Sequence, residues 1–385
     1  MNNFIYENKT KVYFGKGGVK EYLSCLLKKY GGTVLLAYGG GSIKKNGVYD
    51  EVSAALKSAG KTVIEFAGIM PNPTYSKVLE GAELVRKNNV DFILAVGGGS
   101  VIDCCKIVSA QAKLCEDIWD MENIKKTYPT DFVPMGAVVT VFGTGSEMNA
   151  GAVITNEEKK IKAALFGAQA DFAFLDPEYT FSVPMKQVIS GAFDTLSHAM
   201  ETYFGKPDEN SLSDDINEAL MRSVIRNIRV LLSDNKSYEA RSELAWASSM
   251  AENGILKIGK ITDFQAHQIE HQLAAYTNCN HGAGLAVIHP VLYRHIYKNG
   301  EKRFARFAEN VWSIKPGTDE CETALAGIEA LSDFIREIGL PTTFEQLKIS
   351  EDVDLRAVSD SVNITAGCCK KLSHKEIYEI LLECR

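Results

Sequence analysis

Apolar positions along this chain come in two textures. In the first half they form short unbroken runs that end in glycine. Residues 33–38 run into Gly39-Gly-Gly-Ser42, residues 91–96 into Gly97-Gly-Gly-Ser100, and residues 137–142 into Gly143-Thr-Gly-Ser146. Residues 62–66 (TVIEF) read as the next strand after the first of these. Such runs predict strands of a parallel sheet buried on both faces. Between them, residues 48–58, 75–88 and 101–110 have helical spacing, and strands alternating with helices predict crossover connections. From Asp176-Pro177 to Pro184 the texture changes. Beyond it Ile189, Phe193, Leu196, Met200 and Tyr203 recur at helical spacing, and residues 214–232, 238–253, 302–311, 319–339 and 350–383 also read as helices. The expected fold is an α/β dinucleotide-binding domain over residues 1–183, followed by an all-helical domain over residues 184–385.

Composition narrows the function classes. A formal charge of −7 and a pI near 5.6 argue against nucleic acid or a membrane surface as partner. No apolar run is long enough to span a bilayer, and MNNFIYENKTKVYFG lacks a secretory signal pattern. The odd count of 9 cysteines, without framework spacing, reads as reduced thiols of a cytoplasmic protein. Cys104 and Cys105, adjacent on a predicted helix, point to different faces and read as buried structural thiols. The 31 glycines, clustered after apolar runs, point to nucleotide binding.

The glycine turns are the candidate cradles. At Gly97, Gly98, Gly99 and Ser100, a strand enters a helix whose N–H groups and dipole favour a phosphate. A bare glycine turn is the alternative, since Ile102 stands where G-x-G-x-x-G has its third glycine. Asp103 is a candidate for a ribose or substrate hydroxyl, or else a helix-dipole acid. Gly39, Gly40 and Ser42 offer a second cradle, with no carboxylate on the turn and Lys44 and Lys45 after it. That combination favours the 2′-phosphate of NADP(H) over NAD(H). Thr140 and Thr144 suit the nicotinamide end, and Asn149, Lys162 and Tyr179 are polar candidates for the same pocket. Asn72, in the loop 70–74, is a further coenzyme candidate.

The stretch 261–281 gathers three of the chain's 7 histidines: His267, His271 and His281. Thr262 and Gln265 have capping-box spacing, so a helix from Thr262 projects His267 and His271 from one face. Residues 267–276 cover ~13 Å of helix. The five residues that follow reach back at most ~17 Å, which permits a shared site without forcing one. Asp194 and His198 lie one turn apart on another predicted helix and can reach a single ion. Scattered surface histidines are the alternative in both places. His289 and His295 read as packing or surface histidines, and His374 as solvated.

Together, residues 38–47 (YGGGSIKKNG), 97–103 (GGGSVID), 143–147 (GTGSE), Asp194 with His198, residues 263–271 (DFQAHQIEH) and 280–282 (NHG) resemble the iron-dependent (group III) alcohol dehydrogenases. The likeness is greatest to their bacterial NADPH-dependent butanol dehydrogenase and aldehyde reductase branch, and it covers essentially the whole chain. It implies a dehydroquinate-synthase-like architecture with one divalent metal, Fe2+ or alternatively Zn2+, in the cleft between the domains. The implied ligands are Asp194, His198, His267 and His281, with His271 as a pocket or proton-relay group. It also implies a homodimer acting on small alcohols and aldehydes. Gly40 falls where NAD-using relatives tend to carry aspartate. Bulky Phe142 departs from the family pattern and is expected to narrow the nicotinamide pocket. A lyase resembling dehydroquinate synthase would need basic groups for a phosphorylated acid, whereas Ala266, Ile269, Leu273 and Ala274 are neutral. A non-catalytic scaffold would be expected to lack one of the four ligands, and all four are present.

Overall fold

The computed structural model describes residues 2–207, 209–365, 367 and 369–385. Two compact units meet in the chain at Pro184, Glu7–Pro184 and Met185–Arg385, the second joined by the first residues up to Tyr6. Asn2 donates its backbone N–H to the Gly259 carbonyl (3.2 Å), which ties the start of the chain to the helical unit.

The α/β unit contains strands β1 (Lys11–Phe14), β2 (Thr33–Tyr38), β3 (Thr62–Phe66), β4 (Phe92–Gly97), β5 (Met135–Val139), β6 (Gly151–Asn156), β7 (Ile161–Phe166) and β8 (Phe172–Leu175). Its helices are α1 (Ser24–Leu27), α2 (Ser42–Lys45), α3 (Val48–Ser58), α4 (Tyr75–Lys87), α5 (Gly99–Gln111) and α6 (Ile118–Asn123). Six strands form a parallel sheet in the order β1-β8-β5-β4-β2-β3, while β6 and β7 pair as an antiparallel hairpin. Side chains alternate across the sheet. Leu35, Ala37, Ile93 and Ala95 pack with Val78 of α4 and Val108 of α5. Val34, Leu36, Phe92 and Leu94 pack on the other face with Val52 and Leu56 of α3. Both faces of β2 and β4 are therefore buried, as unbroken apolar runs require, whereas the edge strand β3 is exposed over most of its length. The turns after the neighbouring strands β2 and β4 lie at their carboxyl ends, where open parallel sheets bind ligands.

The second unit is helical: α7 (Met185–Tyr203), α8 (Leu212–Ser233), α9 (Tyr238–Glu252), α10 (Gln265–Thr277), α11 (His281–Ile296), α12 (Glu301–Trp312), α13 (Glu320–Glu337), α14 (Leu355–Ser361) and α15 (His374–Glu383). Phe193 and Leu196 of α7, Leu273 of α10, Ile288 of α11 and Phe304 of α12 share its core. The stretch 350–383 is not continuous helix. Gly367 takes a left-handed φ of 62°, and a Ser373–Glu376 capping box starts α15. His374, expected to be solvated, instead hydrogen-bonds the Ser359 carbonyl through Nδ1 (2.7 Å). No described helix is long and apolar enough to cross a membrane.

Candidate metal and coenzyme sites

Three helices of the second unit bring four side chains to one point. Asp194 and His198 stand one turn apart on the buried face of α7, His267 is in the first turn of α10, and His281 is the first residue of α11. Asp194 Oδ1 lies 3.4 Å from His281 Nε2, 3.5 Å from His267 Nε2 and 3.8 Å from His198 Nε2. Ligand atoms of Asp194, His267 and His281 all lie within 4.8 Å of one another.

Local sequence explains the convergence. A Cβ on Gly282 would sit 2.1 Å from the Ser190 carbonyl oxygen, so only glycine lets α11 approach α7 this closely. Asn280 caps α11 by accepting the Ala283 N–H (3.0 Å), and it also accepts the Ser190 hydroxyl of α7. A Cβ on Gly284 would press on Glu270 Cγ at 2.9 Å, so this second glycine makes room for that carboxylate. Helix α10 does not begin with a Thr262 capping box. Phe264, at a left-handed φ of 58°, precedes it, and Gln265 accepts the Leu372 N–H instead (3.2 Å). The capping group comes from α7: the Glu201 carboxylate accepts the N–H groups of Ala266 (2.6 Å) and His267 (3.3 Å). A carboxylate from elsewhere in the chain satisfies the orphan donors as a local side chain would.

Glu201 also accepts His267 Nδ1–H, and Glu270 does the same for His281 Nδ1. Each pairing fixes a proton on Nδ1 and aims Nε2 at the Asp194 carboxylate. Burial alone would push the Asp194 carboxyl up, but His198, His281 and His267 hold it well below the usual carboxylate range. Burial opposes protonation of His267, yet Glu201 and Asp194 raise it to about 10. Burial lowers His198 in spite of Asp194. Asp194 Oδ1 and His267 Nε2 are buried and lack a hydrogen-bond partner among the described residues. Such atoms are costly to leave unmet. An oxygen and three imidazole nitrogens, with two carboxylates behind them, suit a divalent cation.

His271 is also buried, its ring 5.5 Å from that of His281 and nearly parallel to it (28°). Ligand atoms of His271, Glu270 and His281 form a second close group. His289 is a core residue bonded to the Ser197 hydroxyl (2.6 Å), and His295 pairs with Glu383 (3.0 Å).

In the α/β unit, the turn after β4 packs on the loop after β5. Thr140 donates its N–H to the Gly97 carbonyl (2.9 Å), and a Cβ on Gly99 would lie 2.3 Å from Thr144 Oγ1. Ser100 lies in the first turn of α5. Asp103 already has protein partners: the Ser146 hydroxyl, the Val153 N–H (2.8 Å) and Lys106 Nζ (3.8 Å). It anchors the 143–148 turn and β6. Lys106 Nζ also holds Asn149 Oδ1 (3.0 Å), and Lys162 Nζ holds Asn72 Oδ1 (2.9 Å). Tyr179 donates its hydroxyl to Glu51 of α3 (2.9 Å). Phe142 packs against the sheet core. Cys104 and Cys105 are buried, and burial pushes the Cys104 thiol up to about 12. Gly40 and Gly41 face open space, as a turn receiving a phosphate-bearing ligand requires. The surroundings of these turns are compatible with a dinucleotide.

The model for "Iron-containing alcohol dehydrogenase" matches residues 9–177, and that for the "Fe-containing alcohol dehydrogenase family, C-terminal" matches residues 188–384. The chain belongs to the iron-containing alcohol dehydrogenase family. It is 42% identical to the probable NADH-dependent butanol dehydrogenase 1 of Bacillus subtilis over 99% of both chains. It is 37% identical to the NADPH-dependent aldehyde reductase YqhD of Escherichia coli, over 89% of this chain and 88% of that one. The crystal structure of NADH-dependent butanol dehydrogenase A from Thermotoga maritima superposes with a TM-score of 0.94 at 35% identity, covering 100% of this chain and 99% of that one. The architecture is dehydroquinate-synthase-like, a parallel-sheet unit followed by a helical one.

Sequence reasoning missed Glu201 and Glu270. Both carried a signal: Glu201 is three residues after His198, and Glu270 three after His267, so each shares a helix face with a histidine. It also missed Glu65, which lies on β3 rather than on the glycine turn and pairs with Lys44 (3.4 Å).

Proposed function

We propose that this chain is a metal-dependent, NADP(H)-using alcohol dehydrogenase and aldehyde reductase that interconverts primary alcohols such as butanol with their aldehydes. The observation that carries this reading is the approach of three imidazole Nε2 atoms to one Asp194 oxygen within 3.4–3.8 Å. When bound, a divalent ion supplies Lewis-acid polarisation of the substrate oxygen, and the nicotinamide supplies or accepts the hydride. Asp194, His198, His267 and His281 hold the ion. Fe2+ is the expected occupant, and Zn2+ suits the same donors. Glu201 and Glu270 keep the protons on Nδ1 of His267 and His281, so that Nε2 of each stays available. His271 exchanges the hydroxyl proton through its ring. Gly39, Gly40 and Ser42 and the Gly97–Ser100 turn carry the coenzyme phosphates, with Asn72, Thr140, Thr144, Asn149, Lys162 and Tyr179 completing its site. Asp103 supports this site through Ser146 and Lys106. NADPH is preferred over NADH because the 39–42 turn bears no carboxylate of its own and Lys44 and Lys45 follow it. In this reading the protein works in the cytoplasm as a homodimer, which light scattering checks.

The test is a substrate panel on protein reconstituted with Fe2+ or Zn2+, run with NADPH and with NADH. Butanal should drive coenzyme oxidation, and a phosphorylated keto acid should not. Metal-loaded protein inactive on butanal and every other aldehyde of the panel with both coenzymes overturns the reading.

A further inference from the structure

The Gly39–Ser42 turn is flanked by Tyr38, the last residue of β2, and by Lys44 in α2. Glu65 stands beside them on the adjacent strand β3, whose register sets it opposite Leu36. Its Oε2 accepts the Tyr38 hydroxyl and its Oε1 the Tyr49 hydroxyl. Lys44 Nζ lies 3.4 Å from Oε2, with its ammonium 5.0 Å from the Tyr38 ring centroid and 4.5 Å from that of Tyr49. The two hydroxyls, Tyr38 first, hold the Glu65 carboxyl below the ordinary carboxylate range, so it is ionised at neutral pH. The cluster is preorganised and spans both ends of the turn.

Two consequences follow from elementary electrostatics. The Lys44 charge, which on sequence grounds alone favours a 2′-phosphate, is already opposed by a carboxylate. In addition, dinucleotide-binding folds commonly carry an acid about 20 residues beyond the glycine turn, on the next strand, where it accepts the ribose 2′-hydroxyl. Glu65 has that position relative to Gly39–Ser42. We propose that Glu65 sets the coenzyme selectivity of this chain, accepting the ribose 2′-hydroxyl of NAD(H) and opposing the 2′-phosphate of NADP(H). Lys44 and Lys45 pull towards NADP(H) and Glu65 pulls back, which narrows the preference for NADPH and lets NADH serve as well. This inference rests on the reading of the 39–42 turn as part of the coenzyme site.

Glu65 is 44% exposed, so water and salt screen it and its effect is moderate. The test is a fluorescence titration of metal-loaded wild type, Glu65→Gln and Lys44→Gln with NADPH and with NADH, in the absence of aldehyde. Glutamine retains the shape and a hydrogen-bonding partner for the tyrosines while removing the charge. At low ionic strength, Glu65→Gln should raise the ratio of NADPH to NADH affinity by about fivefold, and Lys44→Gln should lower it by a similar factor. Added salt should shrink both effects. A loosened turn would weaken both coenzymes together and leave the ratio unchanged, and that result overturns the inference alone. Wild type that binds neither coenzyme overturns the functional reading beneath it as well.

Discussion

The two units prepare their candidate ligand sites by opposite means. In the α/β unit the turns are made of residues without side chains, and the backbone itself is offered. In the helical unit a carboxylate and three imidazoles are offered, each imidazole held against a buried charge or packed helix. The first unit adds a contrast of its own, because Gly-Gly-Gly-Ser occurs there twice. After β2, Gly40 and Gly41 have nothing of the protein within 4 Å of a Cβ position. After β4, a Cβ would meet Val101 at 2.5 Å from Gly97 and Thr144 Oγ1 at 2.3 Å from Gly99. After β2 the turn is packed at Gly39, where a Cβ would lie 3.1 Å from the Ile69 carbonyl oxygen, and open at Gly40 and Gly41, so glycine alone does not report why a position needs glycine.

Substitutions can break this contrast, the most damaging first. Gly282→Ala drives a methyl into the Ser190 backbone, which cannot move as a flexible side-chain tip would. Denaturant unfolding of the metal-free chain should show a loss of about 3 kcal/mol or more. The folded fraction should bind metal poorly, because α11 carries His281. A stable variant with normal metal content would contradict the packing account.

Glu201→Gln keeps the shape of the α10 cap but removes the charge behind His267. Loss of such a partner should weaken metal retention by about 10–100-fold, read by competition with a chelator. Unchanged affinity would mean that the pairing is structural only.

The two glycine turns come next. Gly99→Ala should cost about 1–3 kcal/mol through its clash with Thr144. Gly40→Ala should stay within about 0.5 kcal/mol, as open surface positions do. Thermal melts of both variants decide the matter, and equal losses would erase the distinction between the turns.

The smallest effect concerns buried carboxylates. Glu201 uses both oxygens, whereas Glu122 in α6 accepts the Phe166 N–H (2.8 Å) and leaves Oε1 without a partner among the described residues. Burial pushes Glu122 up to about 7 from an ordinary 4.5. The folded state therefore holds this proton more tightly than the unfolded chain, and the stability it contributes is lost as pH rises through about 7. Glu122→Gln should melt about 2–4 °C above wild type at pH 8, with the gap closing towards pH 5. A gap independent of pH would remove the charge from the explanation.

How much was legible in the sequence followed the same division. Strands β2 and β4 stood out because each is a six-residue apolar run ending in glycine. The four-residue strands β1 and β8 are too short to show a period. The Asp194–His198 and His267–His271 spacings were visible because helical geometry is local. Glu201 as the cap of α10, and Glu65 as the partner of Lys44, were not visible, since each relation joins separate elements. Thr262 and Gln265 had the letters of a capping box, but Glu201 took the capping role from 65 residues away. Asp103 had the right turn for a ligand contact, but its bonds to Ser146 and Val153, 43 and 50 residues onward, were not visible, since they too join separate elements.

The central claim is that Asp194, His198, His267 and His281 hold one metal ion. Its most direct test is the metal content of wild type and His267→Ala after Fe2+ reconstitution and gel filtration, with circular dichroism to verify folding. Wild type should carry about one ion per chain and the folded variant less than about a tenth of that. Equal metal content in a folded His267→Ala protein would contradict the site.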